Sequence, residues 1–223
     1  MRIDILSLFP EYFESPFAVS IIRRAREKGL VDIRLINIRT FAEGKHRRVD
    51  DRPYGGGPGM VMMPGPCLRA IRSVRKEDSH VVFLTPGGTP LQAKGCTKLA
   101  KHSHLILLCG HYEGVDQRVM EEVDEEISIG DYVLTNGCLP AIVLIDATIR
   151  FLPGVLGNEE SALNDSFQEG RVEGPHYTRP EEFEEMRVPE VLLRGNHKEI
   201  AAWRKTESEK KTRQVRSELT AGV

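Results

Sequence analysis

Apolar and polar residues alternate in the first part of the chain in a way that predicts two strands with a helix between them. Ile3 to Phe9 is mostly apolar with β-branched members, and the apolar residues of Val31 to Leu35 alternate with charged neighbours, so both stretches predict strands. Ser15-Pro16 has the form of an N-cap followed by a first-turn proline, and Gly29 supplies a C-terminal stop. The order strand, helix, strand predicts the opening of an α/β layered domain.

The middle of the chain continues this pattern with more compact apolar runs. Val81–Leu84 and Leu105–Cys109 predict two buried strands. Leu91 to Ala100 predicts a helix, although a glycine inside it weakens the prediction. Pro140 opens an apolar segment through Phe151 that predicts a core helix, with Arg150 near its end.

Two turns rich in small residues follow predicted strands. They are Gly110–Gly114 and Ile129–Gly137, and a short amphipathic segment with three valines four residues apart separates them. Glycine directly after a strand lets backbone groups approach a ligand closely, and open α/β sheets bind ligands at the carboxyl ends of strands. The strands ending at Leu84, Cys109 and Ile129 could therefore converge on one small-molecule pocket. Either turn taken alone is better explained as an ordinary strand-to-helix connection.

A basic loop followed by glycines interrupts the layered pattern between Arg39 and Met63. Lys45 to Arg52 carries most of its positive charge, and Gly55–Gly59 follows at once, next to Tyr54. The terminal Gly-Lys-Ser/Thr of a phosphate-binding P-loop is missing, so an NTPase is poorly supported. A solvated loop and a contact with an anionic polymer stay about equally open.

The last third of the chain changes in composition. Pro153 to Pro180 predicts an exposed linker because it has several glycines and prolines and no periodicity. Glu181 to Arg187 is dominated by acids, whereas basic residues predominate from Arg194 onward. Ile200 and Trp203 add a small apolar stripe there. This predicts a short basic helical element that must dock or find a partner.

Composition limits the classes of protein that fit. The 223 residues can form one large core, or one large and one small domain. With 31 basic and 33 acidic residues and a net charge of −2, nucleic acid could be bound only through local patches. No apolar run reaches membrane-spanning length, and the N-terminus does not fit a signal peptide, so we expect a soluble, cytoplasmic protein.

Cysteines and histidines do not form a recognisable metal site. No C-x-x-C pair occurs among the four cysteines, which excludes a zinc motif and a disulfide framework and suits a reducing compartment. Cys109, in an apolar run, is expected to be a buried thiol. His102 and His104 lack a nearby third ligand, and such pairs are more often surface residues than metal ligands.

A series of motifs resembles bacterial tRNA (guanine-N1-)-methyltransferases. The motifs follow that family's order over nearly the whole chain: Leu8–Pro10, Val49–Met60, Gly110–Gly114, Ser128–Leu134, Arg150–Gly157, Asp165–Phe167, Pro175–Pro180 and Val191–His197. Any one of them could arise by chance, but the ordered set is highly specific.

The resemblance implies an enzyme that uses S-adenosylmethionine to methylate N1 of guanosine 37, beside the tRNA anticodon. The implied fold is a SPOUT α/β domain over residues 1–157, with a mostly parallel sheet, helices on both faces and a deep trefoil knot. A flexible linker over 158–174 and a small, shortened helical tRNA-binding domain over 175–223 would follow. The family works as a homodimer in which the partner's linker completes each cofactor pocket.

The resemblance also assigns roles to individual residues. Asp165 would be the general base that removes the N1 proton, and Arg150 would stabilise negative charge spreading toward O6. Without the resemblance, Asp165 would be taken for a turn cap and Arg150 for a helix-end arginine. The cofactor would lie across Leu84, Thr85, Pro86, Gly110, Tyr112, Glu113, Ile129, Gly130, Asp131, Tyr132, Val133, Leu134, Asn136, Gly137 and Pro140.

Some expectations of the family are less directly visible. Magnesium dependence is a family property, but no dedicated ligand set is present, as expected for an ion that keeps most of its waters. Four positions depart from the family pattern: His111 replaces arginine, Gly87 replaces glutamine, and Asn136 and Cys138 replace glycine and glutamate. The alternatives are a catalytically silent RNA-binding relative and a nucleotide-binding α/β protein.

Overall fold

The computed structural model describes residues 1–157 and 165–220. The described residues form two compact units, one on each side of this gap. Within them, no helix is long and apolar enough to cross a membrane. Residues 158–164 of the predicted linker lie outside the described residues.

The first unit is an α/β domain. Its strands are β1 (Arg2–Ser7), β2 (Asp32–Asn37), β3 (Asp50–Asp51), β4 (Val61–Met62), β5 (Ser79–Pro90), β6 (His104–Cys109) and β7 (Glu125–Ser128). Its helices are α1 (Glu14–Phe17), α2 (Ser20–Glu27), α3 (Pro64–Val74), α4 (Ala93–Leu99) and α5 (Cys138–Ile149). Short 3-10 helices span Pro10–Phe13, Ile38–Phe41 and Gln117–Glu122.

Five strands form one parallel sheet in the order β2-β1-β6-β5-β7, while β3 and β4 form a separate antiparallel pair. In the centre of the sheet, Ile3 of β1 is aligned with Ile33 on one side and with Leu105 on the other. The predicted strands and the mostly parallel sheet are therefore confirmed.

Each face of the sheet carries its own hydrophobic core, because successive side chains of a strand point to opposite faces. Leu105 and Leu107 of β6 pack in one core with residues of α2 and α5, whereas Ile106 and Leu108 pack in the other with residues of α3. Covering on both faces explains why the central strands have continuous apolar sequences. Helices on both faces of the sheet are thus confirmed.

The predicted start of the first helix is wrong. Instead of one helix capped by Ser15, the chain forms α1 and then α2, which begins at Ser20 with a positive φ of 54°. Phe13 and Phe17, whose ring centroids are 5.7 Å apart, are both buried, so α1 is anchored on its own. The chain must turn again before Ile22 can reach the core.

His104 is not the surface residue that the sequence suggested. Its Nε2 lies 2.9 Å from an Asp4 carboxylate oxygen, and its Nδ1 lies 2.7 Å from the hydroxyl of Ser79. Arg2 donates to the same carboxylate at 2.6 Å. The side chain of Asp4 is fully buried, so these hydrogen bonds replace its lost hydration. His104 therefore belongs to a buried polar network across three strands.

The second unit contains a short hairpin, β8 (Glu182–Phe183) and β9 (Met186–Arg187), then α6 (Glu190–Leu193) and α7 (His197–Val215). The predicted basic helical element is confirmed as α7, whose N-cap Asn196 accepts from the backbone N–H of Lys198. Val172 is buried against α7: its N–H donates to the Thr212 hydroxyl at 3.1 Å. The expectation that Pro153 to Pro180 is exposed is wrong at Val172 and also at Val155, which is buried in the first unit.

Candidate functional site

The carboxyl ends of β6 and β7 and the middle of β5 surround a cavity of about 210 Å³ in the first unit. Leu84 lies at the β5 side, Gly110 directly follows β6, and Ile129 directly follows β7. The three predicted segments therefore meet at one pocket. The predicted end of a strand at Leu84 is wrong, because β5 continues to Pro90 after a shift in its pairing with β7.

Most residues proposed to touch the cofactor lie in the walls of this one cavity. All of them except Asp131 line it. The resemblance did not supply six further lining residues: Phe83, His111, Gly114, Ile127, Ser128 and Thr135. They lie next to proposed residues in the chain, so this adjacency was the signal that could have found them.

Two glycines bring the central turns, Gly110–Gly114 and Ile129–Gly137, into backbone contact. The N–H of Gly137 donates to the carbonyl of Gly110 at 2.8 Å. A Cβ at Gly137 would lie 2.9 Å from the Cα of Cys109 and the N of Gly110, closer than ordinary van der Waals contact. His111 and Asn136 form an antiparallel bridge beside this contact. Asn136 also accepts the N–H of Cys138 at 2.8 Å, at the start of α5.

The loop after β7 folds over the cavity and is held by its own hydrogen bonds. The Ser128 hydroxyl donates to the carbonyl of Gly130 at 3.0 Å, and the Tyr132 hydroxyl donates to the carbonyl of Ile129 at 3.1 Å. Val133 at the tip of this loop is 82% exposed. Tyr112, on the opposite rim, has a φ of +60°, which is uncommon for a residue other than glycine.

A buried sulfur cluster lies beneath the turns. The sulfur of Cys138 is 3.3 Å from the Ser7 hydroxyl and 3.9 Å from Nε2 of His111. A hydrogen bond from the Cys109 thiol, aided by His111 and Ser7, lowers the pKa of Cys138, while burial raises the pKa of Cys109. A position at the first turn of α5 also favours a thiolate. Cys138 and His111 thus form a polar pair beside the cavity.

The glycine run packs against the turn after β6 and not against solvent alone. Gly59 has a φ of +76°, and a Cβ there would overlap the Glu113 carboxylate. The Glu113 N–H donates to the carbonyl of Met60 at 2.9 Å, and the Met62 N–H donates to the carbonyl of Gly114 at 2.9 Å. This contact, which sequence reasoning did not anticipate, places the end of the basic loop beside the cavity.

The basic loop itself presents its charge to solvent. Arg48 is 3.3 Å from a carboxylate oxygen of Asp51, with both side chains more than half exposed. Tyr54 is 100% exposed. A fully exposed aromatic side chain next to several cations provides a surface suited to nucleic acid.

The two residues proposed to be catalytic lie in different units. Arg150 follows the last residue of α5 and is half-buried, and it is not among the residues that line the cavity. Asp165 lies in the second unit, where it lines a cavity of about 580 Å³ together with Arg171, Arg204 and Lys205. Glu169 and Glu173 line the same cavity, so it carries both charges.

No group of three or more His, Cys, Asp or Glu side chains is placed to hold a metal ion within residues 1–157 and 165–220.

Comparison with known proteins places the chain in a family. The family model described as tRNA (Guanine-1)-methyltransferase TrmD matches residues 1–222. The tRNA (guanine-N(1)-)-methyltransferase of Protochlamydia amoebophila is 61% identical over 222 residues, 99% of this chain and 100% of that protein. The Dictyoglomus turgidum and Chlamydia pneumoniae proteins of the same name are 54% and 59% identical over 98% of this chain, which spans 89% and 61% of their respective lengths. The chain therefore belongs to the tRNA (guanine-1)-methyltransferase family.

Proposed function

We propose that this protein transfers the methyl group of S-adenosylmethionine to N1 of guanosine 37 in tRNA. The observation that carries the proposal is the cavity between the middle of β5 and the ends of β6 and β7, in a chain that the family model matches over residues 1–222. The comparisons support the reaction class, and the geometry below supports the assignment of individual residues.

The cavity suits the adenosine part of the cofactor. Backbone groups of Gly110, Gly137 and the loop from Ile129 to Leu134 line it, so donors and acceptors lie close to a bound ligand. Leu84, Val133 and Pro140 supply apolar walls for a flat ring. S-adenosylmethionine supplies an electrophilic methyl group on a sulfonium, and the protein has to position guanine N1 in line with it.

Asp165 is proposed to remove the N1 proton. Guanine N1 is protonated at neutral pH, so its lone pair becomes available only when a base takes that proton. Asp165 lines a cavity in which Arg171, Arg204 and Lys205 offer cations to the phosphates of a substrate. The proton would pass from N1 to a carboxylate oxygen as the N1–CH₃ bond forms and the methyl–sulfur bond breaks, with the electron pair of that bond left on the sulfur of a neutral thioether.

Arg150 is proposed to stabilise the charge that this deprotonation produces. Negative charge spreads from N1 toward O6, and a guanidinium can donate a hydrogen bond to that oxygen. Its position after the last turn of α5, an element packed in the core, gives the side chain a rigid base.

The tRNA is proposed to contact the basic loop and the second unit. Lys45 to Arg52 lies in the chain just before the glycine run that packs on Glu113, so phosphates held by this loop would run beside the cavity. The net charge of −2 makes such local patches necessary.

A homodimer and a knotted backbone are proposed with the fold. Leu139 and Val143 of α5 are 43% and 46% exposed on one helical face beside the cavity, which supports a subunit interface there. The cavity is also smaller than the roughly 300–1,000 Å³ of typical ligand sites, which supports completion by a second subunit. The knot is proposed because the chain belongs to the family, and stretching single molecules would test it, since a knotted unfolded chain has a shorter contour length.

Magnesium is proposed only as a loosely bound ion. The described residues do not form a dedicated ligand set, so no chemical step is assigned to the metal. Titrating Mg²⁺ into chelator-treated enzyme during methyl transfer would test whether it is needed.

The decisive experiment measures transfer of labelled methyl from S-adenosylmethionine to tRNA transcripts. One transcript carries guanosine at positions 36 and 37, and the other has guanosine 37 replaced. Wild-type protein is compared with Asp165→Asn and with Glu169→Gln, a matched change in the same cavity. We expect label only in the guanosine 37 transcript, lost in Asp165→Asn and kept in Glu169→Gln.

Measuring cofactor binding distinguishes failure of the proposed reaction from failure of the assigned base. Asp165→Asn should bind S-adenosylmethionine like wild type, because a base acts only in the chemical step. Cofactor binding without transfer by the wild-type protein would indicate a silent RNA-binding relative. Transfer that survives in Asp165→Asn would keep the reaction and refute the assignment of the base.

A further inference from the structure

A second cavity, of about 370 Å³, lies within the second unit between the segment Pro175–Arg179 and helices α6 and α7. Leu192 and Ile200 supply half-buried apolar walls, and Tyr177 and Trp203 supply aromatic ones. Nothing in the methyl-transfer chemistry uses these side chains. Two aromatic side chains beside aliphatic ones form a site for a flat, partly apolar group.

The two aromatic rings contact each other at an angle. Their centroids are 6.3 Å apart and their planes are inclined at 53°, so a base would stack on an outer ring face and not between the rings. Tyr177 is 48% exposed and Trp203 is half-buried. Nucleobases stack on accessible aromatic faces in proteins that bind single strands.

The rim of the cavity carries the charge that a nucleotide requires. Arg179 and Arg204 line it together with His176, which lies 3.4 Å from Glu173. Glu181 also lines the cavity and offers an acceptor for the amino group of a base. Guanidinium groups pair with phosphate or stack on a base, so the lining suits an anionic group with a flat ring better than an aliphatic one.

The position of this cavity relates it to Asp165. Pro175, His176 and Arg204 line both this cavity and the larger one that contains Asp165, so the two adjoin. A strand whose guanosine reaches Asp165 would bring its neighbouring nucleotide to the shared wall. We propose that the cavity lined by Tyr177 and Trp203 binds the base of an unpaired ribonucleotide close to the guanosine that is methylated. This inference rests on the proposed function.

Trp203 is the only tryptophan of the chain, so its fluorescence reports on this cavity without background. The experiment titrates the full-length protein with a short single-stranded RNA oligonucleotide, with a fully paired RNA duplex, and with the guanosine 37 transcript. We expect saturable quenching by the oligonucleotide and the transcript and none by the duplex. Tyr177→Ala should raise the Kd for the oligonucleotide about 10-fold, as expected for loss of one stacking partner.

Two variants serve as controls. Tyr177→Phe keeps the ring and should retain wild-type affinity, which distinguishes stacking from a change in the fold. Phe183→Ala removes an aromatic side chain that is 59% exposed on β8 and does not line the cavity, so it should also bind normally.

Methyl transfer is measured on the same proteins, so the two proposals can fail separately. Normal transfer with an unchanged KM for the transcript in Tyr177→Ala, and no quenching by the oligonucleotide, would overturn the inference and keep the proposed function. Quenching without transfer by wild type would support the base site and remove the proposed reaction. Emission that depends on protein concentration and not on RNA would overturn the inference by showing a second copy on this surface.

Discussion

Replacing Gly137 by alanine tests whether the contact between the two central turns shapes the cofactor cavity. The added Cβ would lie 2.9 Å from the Cα of Cys109 and the N of Gly110, whereas ordinary contacts begin at 3.4 Å. The turns must therefore separate by about 0.5 Å, since both neighbours are backbone atoms that cannot rotate away. The hydrogen bond from Gly137 to Gly110, now 2.8 Å long, would lengthen by a similar amount.

The expected cost follows from these two changes. Overpacking costs about 1–3 kcal/mol, and loss of a hydrogen bond costs about 0.5–1.5 kcal/mol. If about 1.5–3 kcal/mol of this total appears in cofactor binding, the Kd for S-adenosylmethionine rises roughly 10- to 150-fold. The same turns hold the end of β6 beside the start of α5, so the urea midpoint of unfolding should also fall.

Calorimetric titration with S-adenosylmethionine and urea unfolding of the same variant measure both effects. Gly87→Ala is the matched control, because Gly87 follows the cavity residue Pro86 and a Cβ there has nothing within 4 Å. We expect wild-type affinity and stability from the control. Wild-type affinity and an unchanged urea midpoint in Gly137→Ala would refute the reasoning, because they would show that the turns separate at no cost.

Two further predictions concern buried polar groups of the first unit. Asp4→Ala should lower the free energy of unfolding by about 3–5 kcal/mol in urea titrations. The reason is that Arg2 and His104 would lose the carboxylate with which they pair. Asp32→Ala, which breaks an ion pair of exposed side chains, should cost clearly less, and equal losses would contradict the argument. Folding lowers the pKa of Cys138 and so favours its thiolate. The stabilisation that this thiolate gives the folded state is complete above the unfolded pKa of about 8.5 and is lost as the pH falls through the folded pKa. Under reducing conditions, the stability of wild type relative to Cys138→Ser should therefore rise between about pH 6 and pH 8, by at most ~1.4 kcal/mol per pH unit, and parallel profiles would rule this out.

The sequence was informative where a periodic pattern decides the structure. The runs that become β5, β6 and α5 were predicted because burial on two sides requires continuous apolar residues. The small residues after those runs predicted the cavity, because backbone atoms can approach a ligand only where no side chain intervenes.

Other features depend on contacts between distant residues and left no local pattern. His104 was expected at the surface because nothing near it in the chain shows that it will face Asp4, which is 100 residues away. The contact of Gly59 with Glu113 also joins separate parts of the chain. The break between α1 and α2 was missed because Ser15-Pro16 satisfies the capping rule, while packing of Phe13 and Phe17 decides where the helix ends. Local rules could not reveal these contacts.

The place of β1 in the sheet has a consequence for synthesis of the protein. Strand β1 leaves the ribosome well before β6, yet it pairs with both β2 and β6. One edge of β1 therefore stays open until His104–Cys109 have emerged, and open apolar edges readily pair with other chains. Pairing across so long a separation is also slow. A nascent chain that stalls before β6 would be prone to aggregate although most of its first unit has already been made.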